Sequence, residues 1–182
     1  MIRPKLIADI LTFIRFFIAL SIIFVSLTRG QDGLHTALLL LLLGWMTDTV
    51  DGQLARRDPG AKHTWIGDND IIVDVLLALS ILIFFSLSAM IPFWLTVFYL
   101  VYLILAVFVF TGWTLYAAFI GFSYGTCLLM SYLHSPRFFV VFLLYIAFML
   151  LTTWSHCWEN IQSFFTGIKA IDLRESSKKS PS

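Results

Sequence analysis

The stretch Leu38-Leu39-Leu40-Leu41-Leu42-Leu43-Gly44-Trp45-Met46-Thr47-Asp48-Thr49-Val50-Asp51-Gly52-Gln53-Leu54-Ala55-Arg56 runs from pure hydrocarbon into two carboxylates. A second apolar run then opens on Asp70-Ile71-Ile72-Val73-Asp74. In a helix, residues three or four apart share a face. Asp48 therefore lies beside Asp51, and Asp70 beside Asp74. Gly52 and Ala55 continue the first acidic stripe, so that face is both acidic and small. Charged groups at membrane depth cost about 2.5–3.5 kcal/mol each on insertion scales and mark functional sites.

The surrounding chain is strongly apolar. Of its 182 residues, 59% are hydrophobic and 13% charged, against about 25% charged in a soluble domain. Mean hydropathy is +0.89. A membrane-spanning helix takes about 20 apolar residues, and the sequence divides into six such spans, at 6–28, 34–56, 66–88, 92–110, 113–133 and 137–158. The breaks fall at Gly30 to Gly33, Pro59-Gly60, Pro92, Gly112 and Ser135-Pro136, where turn chemistry is concentrated. The expected fold is all-α, a polytopic bundle of six transmembrane helices filling residues 1–168. A polar, Ser- and Lys-rich tail at 169–182 reads as disordered. The apolar run Leu6–Leu27 exceeds the core of a signal peptide and reads as a retained first span.

Lys and Arg set the orientation. With the N-terminus cytoplasmic, Arg3, Lys5, Arg56, Arg57, Lys62, Lys169, Arg174, Lys178 and Lys179 lie inside, whereas Arg29 and Arg137 lie outside. The expectation is a multi-pass protein in the lipid bilayer with both termini and the 57–65 loop on the cytoplasmic side. The formal net charge of +1 says little about partners, and no nucleic-acid partner is expected. Cys127 and Cys157 match no metal or disulfide pattern and read as packing residues. No Asp, Glu, Lys or Arg occurs from Val75 to Pro136, so spans three to five read as scaffold and lipid-facing surface.

The chemistry lies before that stretch. Asp48 is eight residues before Arg56, and Asp74 eight after Ile66, a depth of about 12 Å in each case. Antiparallel helices bring the two pairs level. Four neighbouring carboxylates need countercharge. Hard divalent ions with oxygen ligands, Mg²⁺ or Mn²⁺, supply it, and two ions balance four acids. Helix capping or pairing with Arg56, Arg57 and Lys62 accounts for one or two of the acids, not for four.

The pattern resembles the CDP-alcohol phosphatidyltransferase family, whose motif is Asp-x2-Asp-Gly-x2-Ala-Arg-x8-Gly-x3-Asp-x3-Asp. Asp48, Asp51, Gly52, Ala55 and Arg56 match its first half, and Asp70 and Asp74 its last pair. Here the spacer after Arg56 is one residue longer, and Gly67 sits three residues before Asp70 instead of four. In the first span, Asp9-Ile-Leu11-Thr12-Phe-Ile-Arg15 is similar to the family's Asn-x-Leu-Thr-x2-Arg, with Asp in place of Asn.

The resemblance implies an integral membrane transferase of phospholipid biosynthesis. It would move a phosphatidyl or other substituted phosphoryl group from a CDP-alcohol such as CDP-diacylglycerol to an acceptor alcohol, releasing CMP. It implies that Asp48, Asp51, Asp70 and Asp74 hold the metals, with Asp74 also the catalytic base. It further implies that Gly52, Ala55, Arg56, Asp9, Thr12, Arg15 and Thr64 contact the donor, and that the protein is a homodimer. The scarcity of cations near the acids favours an unphosphorylated acceptor. His156 and Glu159, and Trp45 one turn before the acids, read as interfacial or packing residues. Two rival classes remain: a divalent-cation transporter using the same acids, and an aspartate- and Mg²⁺-dependent intramembrane prenyltransferase. Acids confined to a single helical hairpin argue against both.

Overall fold

A computed structural model of the chain describes residues 4–56, 70–108 and 113–152. These are almost entirely helical, with no strand among them. They form α1 (Pro4–Arg29), a 3₁₀ turn (Gly30–Gly33), α2 (Leu34–Arg56), α3 (Asp70–Leu87), α4 (Phe93–Phe108), α5 (Trp113–His134) and α6 (Pro136–Thr152). Pro4 and Pro136 occupy first-turn positions, where a missing N–H costs nothing. Gly30 ends α1 with φ +52°, the left-handed conformation that glycine adopts without strain. The turn is tight: a side chain at Gly33 would meet Val25 Cγ1 at 2.5 Å.

Helix α1 is the organising element. It packs along α2 and also along α3, whereas α2 and α3 touch each other only briefly. The sequence suggested a hairpin of α2 directly against α3; in the fold, α1 lies against both. Its inward face carries Thr12, Arg15, Ile18, Ala19, Ile22, Val25 and Ser26, all buried. The opposite face carries Ile10, Phe13, Phe17, Phe24 and Leu27, all exposed. Both stripes follow the 3.6-residue period.

Helix α3 is the most buried part of the core, through Leu77, Ala78, Ile81, Leu82, Phe84 and Phe85. The uncharged stretch after Val75 thus supplies both interior scaffold and outward apolar surface. Helix α3 is interior, while α4 and α6 present Phe93, Trp94, Phe98, Leu144 and Phe148 outward. Exposed apolar surface on this scale marks contact with a membrane or a partner. Two stretches are long and apolar enough to cross a bilayer: Asp9–Val50, which holds most of α1 and α2, and Leu115–His134 in α5. Ile71–Leu87, Phe93–Leu105 and Pro136–Thr152 are apolar but shorter. The 57–65 loop, the 169–182 tail, Cys157, His156 and Glu159 lie outside the described residues.

Candidate active site

The antiparallel course of α1 and α2 fixes where their charged groups meet. Arg15 lies fourteen residues before the end of α1 at Arg29, and Asp48 fourteen after the start of α2 at Leu34. Both are therefore about 21 Å from the turn between them, at 1.5 Å per residue. Arg15 Nη1 stands 3.1 Å from Asp48 Oδ1. The same nitrogen is ion-paired with Asp74 Oδ1, on the first turns of α3. The two carboxylates thus converge on one atom of a guanidinium carried by a third helix.

Solvent exposure separates the partners. The Arg15 side chain is 0% exposed, Asp74 27% and Asp48 51%. The cation is sealed inside the bundle, while both acids keep surface open to a ligand. A buried charge is tolerated when it is paired and hydrogen-bonded, which explains why Arg15 can lie on the same buried face of α1 as Ile18 and Ile22.

A small residue brings the acid-bearing helices close. Gly44, one turn before Asp48, faces Leu77, which is three residues after Asp74. A methyl group at Gly44 would meet Leu77 Cδ2 at 2.7 Å. Any larger side chain there would force α2 and α3 apart beside the two acids.

The wall next to Asp48 is aromatic. Trp45 packs edge-on against Tyr124 of α5 at 4.8 Å between ring centroids, and against Phe142 and Tyr145 of α6 at 5.0 and 5.9 Å. The Tyr145 hydroxyl donates to the Trp45 carbonyl oxygen at 2.7 Å and is in hydrogen-bond contact with Thr49 Oγ1. Helix α6 is thereby clasped to the turn of α2 that presents Asp48. Tyr124 lies within electrostatic reach of Asp74, Asp48 and Arg15. Trp45 is a packing residue, as its sequence context suggested, but Thr49, Tyr124 and Tyr145 were not singled out. Only the register of three helices identifies them; mid-helix Tyr and Thr carry no local signal.

Of the residues singled out from the sequence, Arg15, Asp48 and Asp74 come together. Asp9 and Thr12 lie six and three residues before Arg15 on α1, Thr12 being buried. The backbone of α2 carries Asp51, Gly52, Ala55 and Arg56 onward from Asp48, and Asp70 opens α3. The side chains of Asp51, Ala55, Arg56 and Asp70 lie outside the described residues, as does Thr64 altogether. Among the described residues, no three His, Cys, Asp or Glu side chains form a group able to hold a metal ion. The donor chemistry nevertheless fits a hard cation: two carboxylate oxygens from separate helices already share one positively charged partner, and both acids retain exposed surface.

A model of the family described as CDP-alcohol phosphatidyltransferase matches residues 5–168. No curated protein sequence and no solved structure is significantly similar to the chain.

Proposed function

The chain belongs to the CDP-alcohol phosphatidyltransferase family, and from that membership we propose a multi-pass membrane enzyme that uses its aspartates to move a phosphatidyl group from CDP-diacylglycerol to an acceptor alcohol. Transfer of a phosphatidyl group from a CDP-alcohol is the activity that the family implies. The finer reading draws its main support from one observation, the convergence of Asp48 and Asp74 on Arg15. A purely structural ion pair needs one acid. Two partly exposed acids on neighbouring helices form the beginning of a ligand site.

In this reading Asp48, Asp51, Asp70 and Asp74 hold Mg²⁺ or Mn²⁺. Bound there, such ions would neutralise the diphosphate and the departing CMP. The rest of the chemistry belongs to the chain. Asp74, at the rim of α3, accepts the proton of the acceptor hydroxyl as its oxygen bonds to the lipid-linked phosphorus and the bond from that phosphorus to CMP breaks. A positioned base of this kind contributes about 10²–10⁴-fold. Gly52 and Ala55 leave room for the cytidine beside α2. Arg56 offers paired donors to phosphate. Asp9 and Thr12 on α1, with Thr64, complete the donor contacts, while Arg15 holds Asp48 and Asp74 in place. Apolar helices buried around α1 and exposed outward support a bilayer setting, and the Lys and Arg distribution supports cytoplasmic termini with the acids near the inner surface. A homodimer belongs to the same reading.

The test is CMP release by purified protein given CDP-diacylglycerol, Mg²⁺ or Mn²⁺ and a panel of phosphorylated and unphosphorylated alcohols. CMP release with one acceptor establishes the reaction and names the acceptor. No release with any acceptor, together with divalent-ion flux in liposomes, would replace the enzyme by a transporter.

A further inference from the structure

The acid pair already has a cation. Arg15 Nη1 contacts Oδ1 of both Asp48 and Asp74, and its side chain has no exposed surface. A guanidinium stays protonated at any physiological pH, so this charge is permanent. Buried without partners it would be strongly destabilising. Two carboxylates on adjoining helices, with nothing between them, would repel. Each group supplies what the other lacks.

We infer that Arg15 is the resident countercharge of this pair: it keeps Asp48 and Asp74 together in protein free of divalent ions, and it competes with such an ion for their oxygens. The inference rests on the reading of the aspartates as divalent-ion ligands and adds to it a role for α1. Arg15 is a positioning residue, acting through the two acids. It makes the acid geometry a property of the folded chain, so that the helices need not wait for a metal to bring them together. It also weakens metal binding, because a fixed positive charge within hydrogen-bonding distance of a ligand oxygen opposes a second cation at the same place.

The two consequences are separable from activity. Full-length protein in detergent, as wild type, Arg15→Gln and Arg15→Lys, is titrated with Mn²⁺ alone. Free Mn²⁺ is read by electron paramagnetic resonance, and melting temperature is recorded in EDTA and in Mn²⁺. The expected result is that Arg15→Gln melts below wild type in EDTA, binds Mn²⁺ about tenfold or more tightly than wild type, and recovers more melting temperature on its addition. Arg15→Lys, which keeps the charge, should hold Mn²⁺ affinity within about threefold of wild type. If Arg15→Gln aggregates in EDTA, its recovery on extraction in Mn²⁺ is the same positive result, and failure to recover is the negative one. Mn²⁺ binding to wild type with equal or weaker binding to Arg15→Gln would overturn the countercharge role and leave the metal reading standing. No Mn²⁺ bound by any of the three proteins would remove the metal reading, and the competition with it.

Discussion

Arg15 Nη1 and Asp48 Oδ1, 3.1 Å apart, join two antiparallel helices at equal distance from the turn that connects them. That symmetry follows from chain length on either side of a four-residue turn, Gly30–Gly33. An insertion in either arm would slide one partner along its helix by about 1.5 Å per residue. The ion pair therefore ties the depth of the candidate site to the turn at the far end of α1 and α2. Helix α3 adds Asp74 to the same nitrogen, completing a three-helix junction.

Asp74→Asn should reduce CMP release by about 10²–10⁴-fold, the usual contribution of a positioned base. Arg15 keeps Asp48 as a charged partner in that variant, so the protein should still fold. A melting curve close to wild type beside lost turnover distinguishes this result from unfolding. Undiminished turnover in Asp74→Asn would reassign the base.

Chelation should act reversibly. CMP release should stop in EDTA and return with Mg²⁺ or Mn²⁺, because the carboxylates supply hard oxygen donors. The protein should remain folded throughout, since Arg15 already balances Asp48 and Asp74. A collapse of the melting transition in EDTA would show that the metal, and not Arg15, holds the helices together.

The clasp from α6 should contribute modestly. Tyr145→Phe removes the donor to the Trp45 carbonyl oxygen and the contact with Thr49 while keeping the ring against Trp45. Each hydrogen bond is worth about 0.5–1.5 kcal/mol, and the melting temperature should drop accordingly. Activity should fall by a few fold through looser placement of Asp48. Tyr145→Leu, which also loses the ring packing, should do worse on both measures.

Much of this arrangement can be read in the sequence because long apolar helices announce themselves. Breaks at Gly30 to Gly33, at Pro92 and at Ser135-Pro136 coincide with helix ends, since Gly and Pro act on the backbone locally. That Asp48 and Asp74 lie level was legible too, because the rise of a helix per residue is fixed. Which helices adjoin was not. Beyond the acids of its first turns, a helix as apolar as α3 gives no stripe to show whether lipid or protein covers it, so its place in the core required the fold. Nor does Arg15 announce its partners: a lone cation in a span calls for an acid, and Asp48, Asp51, Asp70 and Asp74 all offered one. The course of α1 along both α2 and α3 is what brings it to Asp48 and Asp74.

Gly44 tests whether the closeness of α2 and α3 matters to the chemistry. The atom that a new methyl would meet is Leu77 Cδ2, at 2.7 Å, the movable end of a side chain. Gly44→Ala should therefore be accommodated by a turn of Leu77, with activity within a few fold of wild type, and the gain in helix propensity, about 1 kcal/mol, should partly offset the crowding. Gly44→Leu cannot be absorbed in this way and should push the helices apart beside Asp48 and Asp74. Misplacement of reacting groups by about 1 Å can cost on the order of 10²-fold in rate. CMP release should then fall by about that factor while the apolar core around Phe84 and Phe85 stays folded. Pairing Gly44→Leu with Leu77→Ala should return part of the lost activity, because the smaller side chain vacates the space the larger one takes. If the double variant is no better than Gly44→Leu alone, close approach of α2 and α3 is not what sets the spacing of the acids.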